Sequence, residues 1–158
     1  MADDHHPHGP LGDALKAQLA AVHRLQTLLE EEYRLLGESD PEPLSRLTHA
    51  KAEAAETLAR LAAEAERRLA ETGLPPGRAG WQLWLQSLPE TARRRGEDLW
   101  AALVDGLESL QRQNEVNGRA LELRRQTTET LLDALRGQSR DTYGPRRSGG
   151  SGQALAKA

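Results

Sequence analysis

His5, His6 and His8 open the chain as a loose cluster inside MADDHHPHGP. Imidazoles this close can take up a transition metal, but a short His-rich tract carries no geometry that selects one. His23 and His49 sit on different segments and lack the HExxH spacing that would put two imidazoles and a general base on one helix face. Glu30, Glu31 and Glu32 are consecutive, so their carboxylates point in several directions and do not encode a di-metal site. Ser45, Ser87 and Ser109 have no base and acid arranged around them, and no GxxxxGK[ST] or GxGxxG loop is present to cradle phosphate. The absence of cysteine removes disulfides, thiolate ligands and Cys nucleophiles together. These residues predict no catalytic site, no metal site and no cofactor, and the chain reads as a non-enzyme.

Asn114 and Asn117 are the polar residues placed where they could decide something. Trp100, Leu103, Leu107, Leu110, Leu121, Leu131 and Leu135 fall on the alternating three- and four-residue steps of a heptad. Asn114, Asn117, Arg124 and Thr128 fill the other positions of that register. Such a seam wants another helix beside it, yet its polar middle argues against one dry, fully apolar partnership. Three readings stand side by side: a bundle helix that uses two amides to fix register, a helix that recognises another protein, and buried chemistry.

The elements that position this seam follow from composition. Of 158 residues, none is Phe or Cys, the only Met is the first, and 3% are aromatic, so a core must be built from Leu, Ala and a little Val. That mixture favours helices lying close together and disfavours sheets. A hydrophobic fraction of 37% with mean hydropathy -0.69 indicates an exposed rod or open bundle rather than a compact enzyme. Leu11, Leu15, Leu19, Val22, Leu25, Leu29 and Leu36 stripe a first helix over 11–36 that enters through Pro10 and stops at Gly37. Asp40, Pro41 and Glu42 signal a second start, and Gly73 with Pro75 and Pro76 a second stop, giving a helix over 41–72. Its seam runs through Leu44, Leu47, Lys51, Ala54, Leu58, Leu61, Ala65 and Arg68. Two long neighbours joined by a few residues predict an antiparallel hairpin. WQLWLQSL, broken by Pro89, predicts a short helix over 81–88 that covers the end of the hairpin. The third long helix is expected over 97–136 and to end at Gly137. The fold class is therefore all-α: an elongated antiparallel helical hairpin plus a long third helix, coiled-coil-like, with flexible ends. Residues 1–9 read as a disordered tail, 10–137 as the helical domain and 138–158 as a flexible Gly/Ser-rich tail.

The formal charge of -3 gives no electrostatic case for nucleic acid or an anionic membrane. ARRRGED is a basic-to-acidic crossing without stacking aromatics, weak evidence for RNA or DNA. No stretch approaches the roughly 20 apolar residues that span a bilayer. The acidic, His-rich start is wrong for a secretory signal, and a cytoplasmic location is the expectation.

NEVNGRALELRRQTTETLLDALRG, followed by DTYGP, resembles the carboxy-terminal signature of the FlgN family, cytoplasmic chaperones of the bacterial flagellar type III export system. The Asn followed by Asn-Gly is matched by Asn114, Asn117 and Gly118. Gln126, Thr127, Thr130, Leu131, Leu132, Leu135 and Gly137 match the run that follows, and Tyr143 and Gly144 match a tail tyrosine near glycine. Weaker similarity around GLPPGRAG and the preceding hairpin extends the resemblance over 12–147. The resemblance implies binding of the hook-associated proteins FlgK and FlgL through their carboxy-terminal helices, and contact with the export gate protein FlhA. It assigns Asn114, Asn117, Gly118, Leu121, Leu131, Leu132 and Leu135 to substrate contact or its supporting face, and Tyr143 to gate docking. It further implies a monomer or weakly associating protein that gains a partner. The rival readings are a structural or adaptor coiled coil, which predicts a client-free dimer, and a chaperone for another type III substrate.

Overall fold

The computed structural model describes residues 9–142, with side chains to residue 136, and every regular element among them is an α-helix. These are α1 (Gly9–Leu35), α2 (Glu42–Glu71), α3 (Arg78–Ser87) and α4 (Glu90–Thr142). The all-α expectation holds. The chain divides into two compact units, Met1–Leu121 and Glu122–Ala158. His5, His6 and His8 and the tail from Tyr143 onward lie outside the described residues.

The first unit is held by α1. The Leu and Val residues of its stripe bury Leu11, Leu15, Val22, Leu25 and Leu29, with Leu15 and Val22 fully enclosed. α2 runs antiparallel to it: Arg68 Nη1 donates to the Pro10 carbonyl at one end, while Lys51 meets Glu32 nearer the other. The turn between them closes as its residues dictate. The Asp40 side chain accepts the Glu42 N–H at 3.0 Å, and Pro41 opens the helix with its carbonyl bonded to the Ser45 N–H. At the far end of α2, Gly73 adopts φ 80°, a conformation that suits glycine, and its N–H returns to the Ala70 carbonyl.

α3 covers the end of the hairpin as its sequence predicts. Trp81, Trp84 and Leu85 are buried in the cluster that contains Leu11, Leu15 and Leu69. Trp81 meets Trp84 edge-on at 5.7 Å and lies against Trp100 of α4 at 5.9 Å between ring centroids. The Glu66 carboxylate accepts both the Gly77 N–H and the Trp81 indole N–H, so one side chain of α2 fixes the entry of α3.

Three expectations are corrected in α4. It begins at Glu90 rather than near residue 97. Leu88, before a proline, is extended (ψ 149°), and the Pro89 carbonyl already accepts the Arg93 N–H, so Pro89 starts the helix instead of delaying it. The helix also passes through Gly137 and continues to Thr142. A glycine costs a helix about 1 kcal/mol without ending it, and Gly137 lacks the following prolines that accompany the stop at Gly73.

The third correction is the phase of the seam. Leu103, Leu110 and Asn117 are buried as the heptad requires, and Trp100 is half-buried against the core beside Leu99, but the next alternate position is taken one residue early, by Gly106. Leu107, Asn114 and Leu121 are left exposed. Glycine explains the rotation: a Cβ at Gly106 would stand 2.7 Å from Val22 Cγ1, so α4 comes closest to α1 where it has no side chain. Close approach at a small residue, rather than burial of the largest one, sets the helix's rotation.

Candidate functional site

A buried group of charged and amide side chains meets around Asn117, which is 2% exposed. Its Nδ2 donates to the Leu29 carbonyl and to Glu32 Oε1, both at 2.8 Å. Its Oδ1 accepts from Gln113 Nε2 at 2.8 Å, and the other Glu32 oxygen accepts from Lys51 Nζ at 2.6 Å. One side chain of α4 is thereby tied to α1, and through Glu32 to α2. Every polar atom of the Asn117 amide is used inside the unit, which is the role of fixing register. A buried amide with satisfied partners pins a helix because a slip of one residue would leave the amide and the carboxylate unpaired.

Asn114 does not share that cluster. It is exposed and stands at the rim of a groove between α2 and α4, with Leu25, Leu29 and Leu110 beneath and Lys51, Ala52 and Ala55 opposite. The groove has a volume of about 390 Å³. Gly118 is helical and exposed, and a Cβ added there would meet nothing within 4 Å. Leu121, at the end of the first unit, is 51% exposed.

The second unit, described by itself, is a helical stretch whose leucines face solvent. Leu131 and Leu135 are each 60% exposed, and Leu123 and Leu132 are exposed as well. At 3.6 residues per turn, Leu131 and Leu135 share one stripe with Arg124 and Thr128, and Leu132 borders it. This stretch is stiffened by ion pairs along one side. Arg125 bonds Glu122 at 2.8 Å and also pairs with Glu129, and Gln126 donates to Glu122 at 2.9 Å. The hydrogen bond from Arg125, and then that from Gln126, draws the Glu122 carboxyl down to about 2. The depressed value means that this local contribution is complete above the ordinary carboxylate range and is lost as pH falls toward 2.

Of the residues singled out by sequence, the structure therefore buries Asn117, exposes Asn114, Gly118, Leu121, Leu131, Leu132 and Leu135, and does not describe Tyr143. Reading the sequence missed Glu32 and Gln113 as partners of Asn117. One signal was available: Lys51 falls at a core position of the α2 seam, and a cation there requires a buried anion. Among the described residues no group of three or more His, Asp or Glu side chains could hold a metal ion. Among those same residues no helix is long and apolar enough to cross a membrane. What the surface offers chemically is apolar area on a helix, the means of holding another helix.

Comparison with curated proteins and with solved structures returns no match. Comparison with protein families does: the family model described as FlgN protein matches residues 10–148.

Proposed function

The chain belongs to the FlgN family, whose members are chaperones of flagellar biogenesis and not enzymes, and from this we propose that it is a cytoplasmic export chaperone for the hook-associated proteins FlgK and FlgL. In this reading it holds the carboxy-terminal helices of these junction subunits, prevents their premature assembly and assists their delivery to the export gate protein FlhA. The observation that supports it is the exposure of Leu131, Leu132 and Leu135 on one helical stretch, with Leu121 exposed at the end of the first unit. Leucines held on a helix and open to water supply the anchors for a client helix. Asn114 and Gly118 join this proposal as exposed positions of α4, while Asn117 serves as its support, holding the helix from within.

Replacing Leu131 and Leu135 together by Ala is the direct test. Burying such side chains stabilises a complex by roughly 1.5–3 kcal/mol each, so losing most of both should weaken binding by about 2–4 kcal/mol, roughly 30- to 1,000-fold. Alanine is the best helix former, so helicity should be kept. Titration against purified FlgK and FlgL measures the change, and unaltered affinity would take this face out of the binding site.

Delivery is assigned to Tyr143, a residue of the family signature. An aromatic ring with a polar tip is an economical anchor, since it brings large apolar area with few rotatable bonds. Tyr143→Ala should keep the FlgK and FlgL complexes and reduce capture by the cytoplasmic domain of FlhA in a pull-down. Undiminished capture would make the tyrosine incidental to docking.

A further inference from the structure

Charge is distributed unequally along this chain. The unit Met1–Leu121 carries 14 Lys and Arg against 20 Asp and Glu, whereas Glu122–Ala158 carries seven against four. The net charges are thus -6 and +3, opposite in sign, although the whole chain is -3. Residues 122–136, which carry the exposed leucines, hold three Arg against three Asp and Glu, and the excess of positive charge comes from residues 137–158.

What distinguishes the face around those leucines is where its balanced charges stand. On the helical wheel of residues 122–136, Arg124 lies within the stripe of Leu131 and Leu135, and Arg125 and Arg136 stand on the side bordered by Leu132. Glu122 and Asp133 fall on the opposite face, and Glu129 lies beyond Arg125. The other border is Thr127 and Ala134, without charge. Arginines thus stand nearest the apolar stripe and carboxylates behind it. The ion pairs from Arg125 to Glu122 and Glu129, and from Arg136 to Asp133, hold these guanidiniums in place while leaving the side chains more than half exposed.

Resting on the reading of this face as a client surface, we propose that it selects an amphipathic helix whose apolar stripe is bordered by aspartate and glutamate. Such a helix sets its leucines against Leu131 and Leu135 and its carboxylates beside Arg124, Arg125 and Arg136. The arginines beside the stripe favour such a border, and a lysine-bordered helix meets like charge there instead. Arginine suits this work because its planar fork meets a carboxylate with two N–H groups while its stem covers apolar surface. Apolar contact supplies the holding, and charge supplies the choice.

The test uses the full chain and three synthetic helical peptides with one leucine stripe, bordered by Glu, Gln or Lys, each labelled for fluorescence anisotropy. At low salt the Glu-bordered peptide should bind at least about tenfold more tightly than the Lys-bordered one, with Gln between. The gap should close at high salt, where the screening length falls to a few ångströms. Arg125→Gln with Arg136→Gln should shrink the gap by weakening the Glu-bordered peptide more than the Gln-bordered one, with helicity checked by circular dichroism. Equal binding of the three peptides, or the reverse order, overturns the proposal. So does failure of every peptide to bind beside a dimer that is lost on mutation of Leu131 and Leu135, since the face then belongs to a second copy. Binding of FlgK and FlgL is measured separately. If they bind while the peptides show no charge preference, only the acidic border falls. If the peptide order stands and neither protein binds, the flagellar client falls and the surface's selectivity survives.

Discussion

Gly80→Ala is expected to be among the most damaging single substitutions in the chain, lowering stability by about 3 kcal/mol or more. A Cβ at this position would stand 1.7 Å from the Pro75 carbonyl oxygen and 2.9 Å from both its carbon and Leu69 Cδ2. Leu69 can rotate away, but a backbone carbonyl ahead of Pro76 cannot do so without moving the whole turn. That turn presents the Gly77 N–H to Glu66, and Glu66 also holds the Trp81 indole. Displacing it therefore breaks two hydrogen bonds to a carboxylate and lifts α3 from Leu69, which is fully buried beneath. Urea unfolding of the variant beside the parent measures the loss. A difference under about 1 kcal/mol would mean that α3 does not sit this close to the turn.

Asn117→Ala is expected to cost about 2–3 kcal/mol, through desolvated groups left without partners rather than through lost volume. The substitution takes a donor from Glu32 and from the Leu29 carbonyl, and an acceptor from Gln113. Glu32 keeps Lys51, which is partly exposed, so the loss is smaller than for an ion left wholly alone. A double-mutant cycle with Glu32→Gln should show coupling, because the two side chains share one network. The same variant separates support from contact. A supporting Asn117 loses stability and affects client affinity only through unfolding. A side chain that touches the client would lose affinity with stability unchanged.

The helices were legible because their signals are local. Asp40 with Pro41, and Gly73 with two prolines beyond, act within a turn of the chain, and both boundaries stand within a residue of expectation. Pro89 and Gly137 misled because the same residue types serve opposite ends: proline can break a helix or open one, and an isolated glycine can lie inside it. The seam of α4 was legible in period and not in phase. A pattern of large apolar residues points to Leu107, while the contact with Val22 is made through Gly106, a residue that hydrophobicity cannot mark. The exposed leucines were legible as a surplus over what the hairpin could cover. The role of Asn117 was hidden for a different reason. Its partners Leu29 and Glu32 lie 88 and 85 residues away, and Glu32 is one of three consecutive glutamates that only the fold distinguishes.

The three tryptophans bear on how this chain can be watched. Trp81, Trp84 and Trp100 sit in one cluster of the first unit, and the second unit has none. Intrinsic tryptophan emission is therefore blind to melting of residues 122–142, which far-ultraviolet circular dichroism still counts as lost helix. Heating the chain with both probes turns that blindness into a ruler. Coincident curves would report one cooperative transition, and a dichroism signal that falls first would report the carboxy-terminal helix fraying while the indoles remain dry.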